Sequence, residues 1–253
     1  MRSRLVTNQL LDVLPPAELR RFLDRCSTVG LQIADVLHSP GKRIATVYFP
    51  TCGFISLVMP AGDGFRVEVG LVGNEGMFGI PVALGGAASQ ASAVVRGTGS
   101  AIALSARAFR QQLDSSDALR AAVQRYASVC LDQLAQAAAC MRFHVIEARL
   151  ARWLLMIADR SEGQTFRVTH SVLAAMLGVR RAGVTFAAGA LQDRGIICGH
   201  RGSITVLERE RLNAAACSCY DADLASYRRL LGSTSSPRRA GARVARRYRA
   251  DAA

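Results

Sequence analysis

Three hydrophobic rhythms follow one another along the chain. The first is β-like. RIATVYFP, FISLVMP and FRVEVGLVG are short runs rich in β-branched and aromatic residues. Pro40-Gly41, Pro50, Pro60 and Ala61-Gly62-Asp63-Gly64 punctuate them. Short strands with regular turn signals predict an antiparallel sandwich or barrel. GSAIALS predicts its last strand, and the helical spacing of apolar residues from Asn8 to Cys26 predicts a cover for one end.

The second rhythm is helical. No Gly occurs between Gly99 and Gly163, and no Pro between Pro81 and Pro237. Asp114, Ser115, Ser116 and Asp117 offer helix caps. Leu119, Val123, Tyr126, Cys130, Leu134, Ala137, Met141 and Val145 then recur every three or four residues, one apolar stripe on a long helix. Such a stripe can pack on its own domain or on a twin. The small residues Ala137, Ala138, Ala139 and Cys140 allow close helix approach and favour the twin. A further helix is predicted from Ile146 to Asp159.

The third rhythm is helix, short turn, helix, hairpin. In LAAMLGVRRAGVTFAAGAL, two adjacent arginines interrupt a run of small apolar residues. Thr169 can cap a helix that starts near His170. Leu173, Ala174, Leu177, Val179 and Val184 then fall where two crossing helices need apolar or small side chains, and Gly178 falls where the turn between them needs a positive φ. This is the helix-turn-helix pattern. It puts Arg180 and Arg181 at the start of the second helix, the end that enters a major groove. Arginine there can hold phosphates or bond guanine edges, with Arg181 better placed for a base. GIICGHRGSITVL predicts a β-hairpin turning at Gly199–Ser203.

Composition sharpens this picture. The chain has 253 residues, half of them hydrophobic, and no apolar run reaches the ~18 residues that cross a bilayer. Asp12 cuts the only early apolar stretch, so MRSRLVTNQLLDVLPP does not read as a signal peptide and a cytoplasmic location is expected. The net charge is +13. Eight Arg and one Asp place +7 of it between Arg228 and Ala253, on a Gly/Ser-rich tail that is either a solvated end or a nonspecific contact to nucleic acid. An enzyme built on a cupin-like roll needs clustered His and carboxylates. Residues 30–105 hold only His38, Asp35, Asp63, Glu68 and Glu75. Seven cysteines are scattered without a CxxC pair, and Cys217-Ser218-Cys219 alone is a weak metal signal. Spacing therefore predicts reduced, packed thiols, no metal and no cofactor.

On these motifs, residues 8–225 resemble the Crp/Fnr superfamily of bacterial transcription regulators. VYFPTCGFISLVMPAGDGFRVEVGLVGNEGMFG is similar to its sensor roll, and VTHSVLAAMLGVRRAGVTFAAGALQDRGII with HRGSITVLERERL to its winged helix-turn-helix. The resemblance implies an α+β chain. Its parts would be a double-stranded β-helix (jelly-roll) sensor domain over 1–113, a dimerisation helix over 114–145, a winged helix-turn-helix over 146–231 and a basic tail over 232–253. It also implies a homodimer on a two-fold symmetric operator in double-stranded DNA, with RNA polymerase as a partner and a small-molecule effector. The residues then set against DNA are Thr169, His170, Arg180, Arg181 and Thr185, with His200 and Arg201 on the hairpin. The competing reading is a ligand-binding roll, or a cupin-like enzyme, without specific DNA binding.

Two departures limit what carries over. Members that bind cyclic AMP hold the ribose with a Glu and the phosphate with an Arg. Ile80 and Ala91 stand in those places, so the effector is expected to be something else. In the second helix of the reader, Ala182 and Phe186 stand where well-known members carry Glu and Arg, so their operator sequences are not inherited. Cys26 is the only cysteine near the N-terminus, where oxygen-sensing members carry a cluster, and His38 and Cys52 are only isolated candidates for a haem ligand.

Overall fold

The computed structural model describes residues 8–62 and 66–232. The basic tail therefore lies outside the described residues.

The sensor lobe opens with helix α1 (Pro16–Leu23), started by Pro15 and Pro16. Strands β1 (Ser27–Leu31), β2 (Val36–His38), β3 (Thr46–Pro60) and β4 (Arg66–Val72), the short helix α2 (Ile80–Ala83) and β5 (Ser92–Ser105) follow. The strands pair antiparallel in the order β1-β5-β3-β4, with β2 also on β5.

The sequence predicts two strands on either side of Pro50, and the structure joins them into one. β3 and β5 stay paired from Thr46–Ser105 to Val58–Ser92, slipping register after Pro50, after Cys52 and after Phe54. These slips are bulges, and they bend the ladder instead of ending it. Two glycines make the bend feasible. Gly53 has φ +73, and a Cβ there would lie 2.4 Å from the Gly97 carbonyl oxygen; a Cβ on Gly99 would lie 2.1 Å from that of Cys52. Ser105 caps helix α3 (Ala106–Ser115), which the sequence pattern did not predict. Ser116 then caps α4 (Asp117–Phe143).

The apolar stripe of α4 divides in two. Leu119, Val123 and Tyr126 are buried in the sensor core with Phe49, Ile55 and Phe109. Leu134, Met141 and Val145, like Leu131 and Phe143 beside them, are exposed. The first half thus packs on its own lobe, as the single-domain alternative expects, and the second half does not.

The C-terminal lobe holds α5 (Ile146–Arg160), β6 (Thr165–Arg167), α6 (His170–Leu177), α7 (Arg181–Asp193), β7 (Ile197–His200), β8 (Ser203–Val206), α8 (Arg209–Ala215) and α9 (Cys219–Leu231). Helix α5 is its centre: all residues from Arg149 to Arg160 are buried. Leu150, Leu154 and Ile157 meet Leu173, Leu177, Val184 and Leu191, and Phe54 and Leu71 of the roll join the same core.

Ion pairs tie α5 to its neighbours. Arg160 of α5 meets Glu75 of the sensor at 2.8 Å, both almost without solvent access. Arg152 meets Asp223 of α9 at 2.6 Å. Arg209 pairs with Asp159, whose other oxygen accepts from the Tyr220 hydroxyl at 2.8 Å. Helix α9 closes the molecule by lying along α4. Tyr220 and Leu224 enter the C-terminal core, whereas Tyr227 and Leu231 enter the sensor core. No single helix among the described residues is long and apolar enough to cross a membrane.

Candidate nucleic-acid interface

The local chemistry of residues 169–206 builds one exposed face. Thr169 is extended, and its hydroxyl accepts from the Val172 amide at 3.2 Å, satisfying one of the free amides that open α6. Gly178 ends that helix at φ +63, a conformation costly for any residue with a Cβ. Its amide and that of Val179 close the turn by donating to the carbonyls of Ala175 and Ala174. Helix α7 then departs at a bend of 109° from α6, within the ~90–120° of a helix-turn-helix. Leu173, Ala174, Leu177 and Val184 are buried between the two helices and α5, as their positions predict.

Burying those residues turns a fixed set outward. Arg180 is the extended residue before α7 and Arg181 its first residue; both are exposed. Among the described residues neither is ion-paired, so both guanidinium groups are free for an outside anion. They lie where the positive end of the helix dipole adds to their field. One turn on, Thr185 and Phe186 share the outward face, and Phe186 is 82% exposed. The Thr185 hydroxyl donates to the Arg181 carbonyl at 3.1 Å. His170 Nδ1 sits 3.1 Å from the Thr185 hydroxyl oxygen, whose proton is already given to Arg181, which leaves the ring nitrogen as donor in that pair. His170 thereby ties the start of α6 to α7.

The hairpin completes the face. β7 and β8 pair from Ile197–Val206 to His200–Ser203, and β6 adds a third strand through β8. Arg201 and Gly202 form the tip with positive φ, and the Ser203 hydroxyl donates to the His200 carbonyl at 2.6 Å. His200 and Arg201 are exposed. The Val168 amide donates to the Gly202 carbonyl at 3.0 Å, and a Cβ on Gly202 would lie 3.5 Å from the Thr169 methyl. The tip is therefore held beside the start of α6, and the His170–Thr185 contact ties that start to α7. Sequence reasoning missed Arg167, exposed on β6 two residues before Thr169. Its signal was only an alternating TFR preceding the cap. Arg194, by contrast, is spent on Glu147.

The places expected to hold a cyclic nucleotide are apolar here. Ile80 opens α2 and Ala91 is buried. Val47, Met77, Phe78 and Val82 belong to the sensor core against which Ile80 packs. Arg110 donates to the Gly86 carbonyl at 3.2 Å. His38 and Cys52 are also taken up locally: His38 Nε2 lies 3.3 Å from the Ser89 carbonyl, and the Cys52 thiol donates to Glu162 at 3.0 Å.

Comparison with known proteins agrees with this geometry. Residues 148–215 match the family model for the Crp-like helix-turn-helix domain. No curated protein matches the sequence. Among solved structures, a Crp/Fnr-family regulator from Eubacterium rectale superposes with a TM-score of 0.65 at 15% identity, covering 81% of this chain and 96% of that one. FixK2 from Bradyrhizobium japonicum gives 0.64 at 15% identity, with 76% and 98% covered. A CRP-family regulator from Thermus thermophilus gives 0.62 at 21% identity, with 74% and 96% covered. Residues 148–215 are thus a Crp-like helix-turn-helix domain, and the chain that carries them has the fold of the Crp/Fnr transcriptional regulators.

Proposed function

We propose that this chain is a sequence-specific DNA-binding regulator of transcription that acts as a homodimer. The sensor would occupy 1–113, the dimerisation helix 114–145 and the reader 146–231. The observation that carries the reading is the outward, unpaired Arg180–Arg181 pair at the open end of α7, flanked by the hairpin tip. Thr169, His170 and Thr185 position the reading helix, and His200 and Arg201 meet the backbone beside it. Phe186 offers an apolar contact of the kind that reads a thymine methyl. A two-fold dimer places half-sites about one helical turn apart, ~10 bp, beside a promoter where RNA polymerase would be the partner. The effector differs from cyclic AMP. Ile80 cannot accept from a ribose hydroxyl, and Ala91 leaves a phosphate without a cation.

The test is selection of bound sequences from a random DNA pool, followed by gel shift. A palindromic site should emerge. Arg181→Ala should cost ~1–3 kcal/mol per half-site and relax one base pair. Unchanged specific binding by the Arg180→Ala/Arg181→Ala double variant would refute the placement of α7.

A further inference from the structure

Cysteine spacing in the sequence predicts packed thiols and no metal. Folding changes the arrangement. Cys140 lies near the end of α4, and His144 is the residue that follows the helix, four positions on and so on the same side. Cys217 and Cys219 flank the turn into α9, which lies against α4. The four candidate ligand atoms, three Sγ and one imidazole nitrogen, all lie within 4.8 Å of one another. Cys140 and Cys217 Sγ are 3.6 Å apart, and Cys219 Sγ is 3.4 Å from His144 Nδ1.

These distances can be compared with the edges of a coordination tetrahedron. With metal–sulfur bonds of ~2.3 Å and metal–nitrogen bonds of ~2.0–2.1 Å, sulfur–sulfur edges are ~3.8 Å and sulfur–nitrogen edges ~3.6 Å. The Cys140–Cys217 and Cys219–His144 separations are each within a few tenths of an ångström of those edges. The set is too tight for an iron–sulfur cluster, whose ligand sulfurs must stand around several metal atoms. It also offers twice the donors that a disulfide would use. We infer that Cys140, His144, Cys217 and Cys219 form a Cys3His site for a single tetrahedral thiophilic ion of the zinc class.

The surroundings suit a structural site. The three cysteines are buried, with Ala148 packed against them. The Gln136 amide donates to Cys219 Sγ at 2.9 Å, the kind of outer contact that orients a thiolate ligand. Three thiolates and a divalent ion leave one negative charge, and the buried Arg152 guanidinium on α5, which pairs with Asp223, also acts on Cys140. Soft thiolates and imidazole select zinc over magnesium or calcium. Three protein sulfurs and one nitrogen fill a tetrahedron, so the site is closed to substrate and serves to hold structure. It would fasten α9 to the junction of α4 and α5. The inference is independent of whether the chain binds DNA.

The experiment uses the full chain purified under reducing conditions with zinc present. Elemental analysis should find one zinc per chain. After removal by a chelator, Co2+ titration of the reduced protein should saturate at one equivalent, with the visible spectrum of tetrahedral cobalt and a sulfur-to-metal charge-transfer band. Cys217→Ser/Cys219→Ser should lose both signals, whereas Cys26→Ser and Cys198→Ser should keep them. The wild-type titration does not depend on any variant folding. A cobalt spectrum without thiolate bands, a bound iron–sulfur chromophore, or a Cys140–Cys217 disulfide found by mass spectrometry in the reduced preparation would each overturn the site.

Discussion

Leu134→Glu tests the proposed homodimer at the exposed half of α4. Helix α9 occupies the face of α4 that carries Asp132, Gln136 and Cys140. The adjoining face carries Leu131, Leu134, Ala138 and Met141, spaced three and four apart as in a coiled-coil seam. Leu131 is 66% exposed, Leu134 47% and Met141 49%. Together they expose between one and two side chains' worth of apolar surface. At ~2 kcal/mol per fully buried side chain, a symmetric seam gains ~6 kcal/mol gross, against an association cost of ~4–15 kcal/mol. Leu134→Glu removes about 1 kcal/mol per protomer. It also sets two carboxylates near the two-fold axis, each costing at least ~1 kcal/mol to desolvate without a partner. The loss is therefore ~4 kcal/mol or more, about a thousandfold in the dimer dissociation constant. Sedimentation velocity at micromolar protein should show dimer for the wild type and monomer for the variant. Leu207→Glu, at an exposed site on the other lobe, should leave the dimer intact. A monomeric wild type, or an undiminished dimer in Leu134→Glu, would refute the seam.

Three further outcomes are expected. Gly76→Ala would set a Cβ 2.1 Å from the hydroxyl of Tyr126, a buried and closely packed ring, and should cost ~1–3 kcal/mol in urea denaturation; an unaltered midpoint would contradict this packing. Arg160→Met leaves the Glu75 carboxylate buried without its cation and should cost ~3–5 kcal/mol, of which adding Glu75→Gln should restore a part; additive losses in the double variant would contradict the coupling. Burial pushes the Glu68 carboxyl up to about 8, with the Ser56 hydroxyl and the Arg96 and Arg160 charges only partly opposing it. The folded chain thus keeps a proton that the unfolded chain releases from about 4.5 upward. The contribution of Glu68 is full below that range and is lost as the pH rises through 8. Melting curves of Glu68→Gln and wild type should therefore diverge between pH 5 and 8, with the variant falling less; parallel curves would show that Glu68 ionises freely.

The reader was legible because its signals are local. A capping Thr169, a Gly178 that must take positive φ, and apolar residues at fixed steps all act within twenty residues. Each meets its partner with little help from the rest of the chain. The sensor was legible in class but not in continuity. Pro50 reads as a strand end, and only the pairing with β5 shows that Gly53 and Gly99 absorb the bend. On α4, periodicity marks an apolar stripe but cannot say what covers it. Leu119 and Leu134 look alike in sequence and differ because the roll reaches one and not the other. The Cys140–His144–Cys217–Cys219 cluster was hidden for the same reason. More than seventy residues separate His144 from Cys217, and it is the return of α9 along α4 that joins them.

That return also bears on how the molecule can be taken apart. The final helix lends Tyr220 and Leu224 to one core and Tyr227 and Leu231 to the other. A cut or a chimaeric junction at the α4–α5 boundary looks natural on a domain map, yet it would strip two large side chains from a core that otherwise lies upstream of it. A foreign reader grafted there would have to bring an equivalent of α9. A sensor expressed alone would need the last helix supplied as a separate peptide. The two lobes are therefore exchangeable between relatives only together with their shared strap, and sequence drift in that strap is constrained from both sides at once.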